Sequence, residues 1–141
     1  MKKPLKITLL VMLALGFAIV LVFMFSTKPV KLGSTEKITL NYVYGYKDIH
    51  VEITDGNDFA QLISICGGRT ANGSELPSCG FGTAELIFES KDKSTAIYPA
   101  CDRCGTMRLG KADKYFYGIS DKDRRLLEDI LAKYGATFPC V

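Results

Sequence analysis

Hydrophobic and polar positions divide the chain into one continuous apolar run followed by short periodic segments. From Ile7 to Phe25 the sequence runs 19 residues with Thr8 as the one polar side chain. A helix of that length reaches about 28 Å, close to the hydrocarbon thickness of a bilayer. The run is longer than the apolar core of a cleavable signal peptide, and a cut after Ser26 would place Met24 where a small residue is needed. The pattern predicts an uncleaved transmembrane signal anchor over 7–25. Lys2, Lys3 and Lys6 flank its short side. Short basic flanks stay in the cytoplasm while a long domain is carried across. The expectation is a single-pass protein of the cell membrane, with residues 1–6 cytoplasmic and the C-terminal domain outside.

Residues 26–36 mix Pro, Gly, Ser and Lys without periodicity and read as a tether. Periodicity begins at Lys37. Ile38, Leu40, Tyr42, Tyr44 and Tyr46 alternate with Thr39, Asn41, Val43 and Gly45, the period of a half-buried strand. A turn around Lys47-Asp48 leads to a second alternating run, Ile49, Val51 and Ile53. Thr54-Asp55-Gly56-Asn57-Asp58 supplies helix-capping side chains, and Phe59, Leu62, Ile63 and Cys66 follow at helical spacing until Gly67-Gly68. Residues 69–82, rich in Gly, Ser, Asn and Pro, read as a long loop.

Centring a hairpin on Asp92 sets Phe88 opposite Ala96, Leu86 opposite Tyr98 and Ala84 opposite Ala100, all apolar. A further hairpin spans 106–109 and 114–119, and Ser120-Asp121-Lys122-Asp123 caps a second helix with Leu127, Ile130, Leu131 and Tyr134 as its stripe. The predicted class is α+β: a transmembrane helix, then one small domain over 37–141 whose antiparallel sheet is covered by two helices, in the order β-β-α-β-β-β-β-α.

Charge changes the picture once the anchor is set apart. The whole chain carries +3, yet residues 29–141 hold 14 basic and 15 acidic side chains, interspersed throughout. That domain has no electrostatic footprint for nucleic acid.

Five cysteines define the candidate chemistry. Cys101 and Cys104 form a Cys-x-x-Cys pair, a spacing shared by redox centres, zinc sites and structural disulfides. A redox pair is activated at a helix N-terminus, but Gly105 to Leu109 reads as strand. A zinc ribbon requires a second close pair, whereas Cys66, Cys79 and Cys140 are isolated, and the single histidine, His50, sits on an outer strand face. In a small domain outside the cytoplasm, structural disulfides are the expected state. The favoured pairing joins Cys79 to Cys104 and Cys101 to Cys140, leaving Cys66 on the apolar face of the first helix.

No catalytic residue, metal site or cofactor is assigned. There is no Gly-x-Ser-x-Gly elbow, and Glu85 and Glu89 stand about 13 Å apart, too far for a glycosidase pair. A binding surface is expected where the tyrosine stripe meets the 69–82 loop, with Tyr42, Tyr44, Tyr46, Arg69 and Phe81 as its residues. The reading is a membrane-anchored, disulfide-stabilised, non-catalytic module for a protein or envelope partner, with the bilayer engaged through 7–25. The alternatives are an anchored thiol-disulfide exchange protein using Cys101 and Cys104, and a zinc-stabilised binding module.

Overall fold

The computed structural model describes residues 3–73, 80–102 and 104–138. Among them the elements run α1 (Lys3–Ser26), β1 (Thr27–Val30), β2 (Lys37–Tyr44), β3 (Lys47–Glu52), α2 (Gly56–Cys66), β4 (Arg69–Asn72), β5 (Ala84–Ser90), β6 (Lys93–Pro99), β7 (Thr106–Leu109), β8 (Phe116–Gly118) and α3 (Asp121–Lys133). The class is α+β. One antiparallel sheet has the strand order β1-β4-β8-β7-β6-β5-β2-β3, and α2 and α3 pack on one of its faces.

Apolar content makes α1 a helix that the domain does not bury. Its window Ile7–Met24 has a mean hydropathy of 2.9 and is entirely exposed. It is long and apolar enough to span a membrane.

The two domain helices start where their caps lie. The Asp55 carboxylate accepts from the Asn57 and Asp58 amides at 2.9 Å each, and Ser120 Oγ accepts from the Asp123 amide at 3.1 Å. α2 buries Leu62, Ile65 and Cys66, and α3 buries Leu127, Ile130 and Leu131. Phe59 and Ile63, expected on the α2 stripe, are half-buried at its margin. Opposite them the sheet supplies Ile38, Leu40, Leu86, Phe88, Ile97 and Met107, each at most 2% exposed. A carboxylate is buried with them: Asp58 is 2% exposed. It accepts from Lys133 Nζ at 2.6 Å and from the Tyr134 hydroxyl at 3.2 Å, joining the two helices. A buried charge is retained only with such partners.

Four expectations are corrected. The 26–36 segment is not wholly tether: β1 lies in it, pairs with β4, and places Val30 and Leu32 in the core at 2% and 3% exposure. Pro29 is tolerated because β1 is an edge strand. The first four residues of the 69–82 loop are β4, and 74–79 lie outside the described residues. The β2–β3 turn falls at Gly45-Tyr46, one step before Lys47, because Gly45 adopts φ 58, a left-handed conformation that glycine takes without strain.

The β5–β6 register differs by one residue. Observed partners are Leu86 with Ile97, Ile87 with Ala96 and Phe88 with Thr95. Ser90 and Lys93 close a two-residue turn over Lys91-Asp92. The shift turns Ile97 into the core and Tyr98 onto the opposite face, since a one-residue slip exchanges every side chain between faces.

Cys66 lies where expected, on the apolar side of α2, as a free and fully buried thiol. The Tyr117 hydroxyl donates to its carbonyl at 3.0 Å. Burial pushes the thiol from 9.0 up to about 12, and burial also raises the Tyr117 phenol. The unfolded thiol loses its proton near pH 9 while the folded one keeps it. Stability is therefore complete below pH 9 and falls between 9 and about 12. The expected slope is about 1.4 kcal/mol per pH unit for this proton. Urea midpoints measured across that range should fall less steeply for Cys66→Ala; an identical slope would contradict the assignment.

Candidate functional site

The strand register places two differently equipped ends on the sheet. The β2–β3 turn, the residues before β5 and the β6–β7 connection lie together at one end. The β5–β6 and β7–β8 turns lie at the other. At the first end the Val43 amide donates to the Thr83 carbonyl at 2.9 Å, so the tyrosine strand does meet the end of the 69–82 segment.

β2 outruns its helical cover at this end. Ile38, Leu40 and Tyr42 are buried, and the Tyr42 hydroxyl donates to the Thr137 carbonyl at 2.6 Å. Beyond Tyr42 the strand leaves the core. Val43 is 58%, Tyr44 52% and Tyr46 109% exposed. Among the described residues outside α1, these three are the exposed large hydrophobic side chains. Lys47 Nζ donates to the Gly135 carbonyl at 3.2 Å, which ties the base of the turn to the end of α3 while its tip stays free of cover.

The remaining residues expected in this surface are placed elsewhere. Tyr42 is interior. Arg69 points to the helical face and pairs with Asp123 at 3.0 Å. Phe81 covers part of the opposite face, its ring 5.5 Å from Phe116, with the Arg108 guanidinium 5.3 Å above it. The candidate surface contracts to the Val43, Tyr44 and Tyr46 tip.

Cys101 and Cys104 lie at the same end, half-buried and exposed respectively. The Cys101 amide donates to the Gly80 carbonyl at 2.9 Å, and a Cβ at Gly80 would stand 2.9 Å from Cys101 Sγ. That approach requires glycine. The Cys104 amide donates to the Asp102 carboxylate at 3.3 Å in a local turn. Gly105 then leads into β7, not into a helix. Cys79 and Cys140 lie outside the described residues, and with them both expected bridges.

The face away from the helices carries a polar row that sequence reasoning missed. His50 Nδ1 meets Asn41 Oδ1, Asn41 Nδ2 donates to Glu85 Oε2 at 2.9 Å, and the Tyr98 hydroxyl donates to Glu85 Oε1. The Arg108 guanidinium lies 4.4 Å from the Tyr98 ring centre and donates to Asp113 at 2.7 Å. The signal was present only as alternate positions on separate strands, which the observed register aligns.

The chain matches no protein-family model, and no curated protein or solved structure is similar to it.

The site must therefore be read from its own chemistry. Burial opposes ionisation of Glu85, but hydrogen bonds from Tyr98 and Asn41 prevail and hold its carboxyl below the usual range. Burial, then the bond to Glu85, pushes the Tyr98 phenol up to about 12. The two groups move away from neutrality in opposite directions. Such a pair holds fixed charge at neutral pH and is not poised for proton transfer. Among the described residues no three His, Cys, Asp or Glu side chains converge to hold a metal ion.

Proposed function

We propose that this protein is a membrane-anchored binding module. Its α+β domain stands outside the cytoplasm and engages a protein partner, or another envelope component, through the β2–β3 tip. The observation that carries the reading is the exposure of Val43, Tyr44 and Tyr46 on a turn whose base is fixed to α3. Tyrosines supply large contact area at low entropic cost and are enriched where interfaces form. A rigid sheet beneath them keeps the tip pre-organised.

The anchor reading rests on the exposure and hydropathy of α1. The cysteines at the tip end act as staples in this account, with Cys79 bridged to Cys104. Support comes from the Cys101 amide bond to the carbonyl of Gly80, the residue after Cys79, and from the place of Cys104 at the same end of the sheet. Loss of such a bridge costs about 2–5 kcal/mol in a small domain.

Photo-cross-linking from an unnatural side chain at residue 46, in the full chain in its own membrane, tests the proposal. A discrete adduct from residue 46 and none from residue 122 on α3 is expected. Equal adducts from both positions, or none from residue 46, would sink it.

A further inference from the structure

The opposite end of the sheet is equipped for a different contact. β1 follows α1 without a break, and the Gly73 amide donates to the carbonyl of Ser26, the last residue of α1, at 3.0 Å. A Cβ on Gly73 would lie 3.0 Å from the Lys114 carbonyl and 3.7 Å from that of Ser26. The β7–β8 turn is thereby packed beside the point where the apolar helix ends.

Lysines gather there. Lys28 and Lys114 place their ammonium groups 5.6 and 5.2 Å from the centre of the Tyr115 ring. Lys28 and Lys31 from β1 and its exit, with Lys93 from the start of β6, line a cleft of ≈ 120 Å³ into which Ser94 and Thr95 also face. Lys111 stands in the same β7–β8 turn as Lys114. All five lysines are exposed, and none forms an ion pair among the described residues. Of the neighbouring carboxylates, Asp113 pairs with Arg108 at 2.7 Å and Glu36 with Lys91 at 4.0 Å, while Glu85 attracts Lys111 from the sheet face. Asp92 in the β5–β6 turn is the one acidic side chain of these turns outside an ion pair. The near-neutral charge of the domain therefore hides a local excess of positive charge beside the end of α1.

We infer that this end of the domain docks on the anionic phosphate headgroups of the bilayer that α1 crosses. The inference rests on the membrane reading of α1. Charge complementarity and continuity with the span select this occupant: ammonium groups and hydroxyls match phosphate oxygens, and a tyrosine flanked by lysines suits the headgroup layer. Docking would fix the sheet relative to the membrane, and the strand register then directs the Tyr44–Tyr46 tip to the other end.

The full chain is reconstituted in vesicles of phosphatidylcholine, or of phosphatidylcholine mixed equally with phosphatidylglycerol. Outward-facing lysines are acetylated in a pulse, mapped by mass spectrometry and normalised to Lys47 and Lys122. In the anionic vesicles Lys28, Lys31, Lys93, Lys111 and Lys114 are expected to react about fivefold more slowly. High salt should abolish the difference. Equal rates in both vesicles would overturn the inference. So would protection by inorganic phosphate alone in phosphatidylcholine vesicles, which would assign the cleft to a free anion. Carbonate extraction reads the span separately: a retained chain with equal rates refutes only the docking, whereas an extracted chain refutes the membrane reading and the docking with it.

Discussion

A chain that begins at Lys37 is expected to be about 3–6 kcal/mol less stable than one that begins at Ser26. The difference comes from β1 and the residues that follow it. Val30 and Leu32 are almost wholly buried, and burying each such side chain contributes roughly 1.5–3 kcal/mol. The same segment closes the end of α2: the Gly68 amide donates to the Val30 carbonyl at 3.0 Å, and a Cβ on Gly67 would lie 3.4 Å from Leu32 Cβ. Its loss also exposes β4, whose other connection to the sheet is the single pair of Asn72 with Phe116. Since a whole domain is stable by only about 5–15 kcal/mol, the shorter chain approaches the limit of folding. Urea unfolding followed by far-ultraviolet circular dichroism compares the two. Coincident midpoints would show that 26–36 is a tether after all.

Tyr44→Ser with Tyr46→Ser is expected to leave the fold intact and to weaken partner binding by at least about 30-fold. Tyr46 is fully exposed and Tyr44 half so, and surface substitutions of that kind change stability by about 0.5 kcal/mol or less. An aromatic anchor at an interface centre is worth about 2 kcal/mol or more, roughly 30-fold in affinity for each residue. With the partner identified by cross-linking, titration should show a loss of at least about 30-fold and an unchanged melting temperature. Unaltered affinity would exclude the tip as the docking site.

The sequence carried the parts of this fold whose signals are local. The apolar run that becomes α1, the capping segments 54–58 and 120–123, the alternation of β2 and Cys66 on the apolar face of α2 all follow from residues within one element. β1 and β4 were illegible for the opposite reason. Each has four residues, too few to establish a period, and they are held by pairing with each other across some forty positions. The β5–β6 register failed on a single turn residue: centring on Asp92 paired apolar residues throughout, but the turn is Lys91-Asp92 and β6 carries apolar side chains on its other face as well.

At the site, alternation along 38–46 located the tyrosine strand. It could not say where helical cover would stop, which is what separates buried Tyr42 from exposed Tyr44. Asp58 was invisible because its partner, Lys133, lies 75 residues away. The Glu85 row and the lysine cluster likewise exist only once distant strands are brought together.

The proposed disulfide staples and an envelope partner for the aromatic tip both require the domain to stand outside the cytoplasm. A membrane-impermeant amine reagent applied to intact cells, with peptide mapping of the modified lysines, reads that directly. Lys47 and Lys122, both exposed, are expected to be labelled on intact cells, and Lys2, Lys3 and Lys6 only after permeabilisation. Labelling of the N-terminal lysines on intact cells, with Lys47 and Lys122 protected until lysis, would contradict the account.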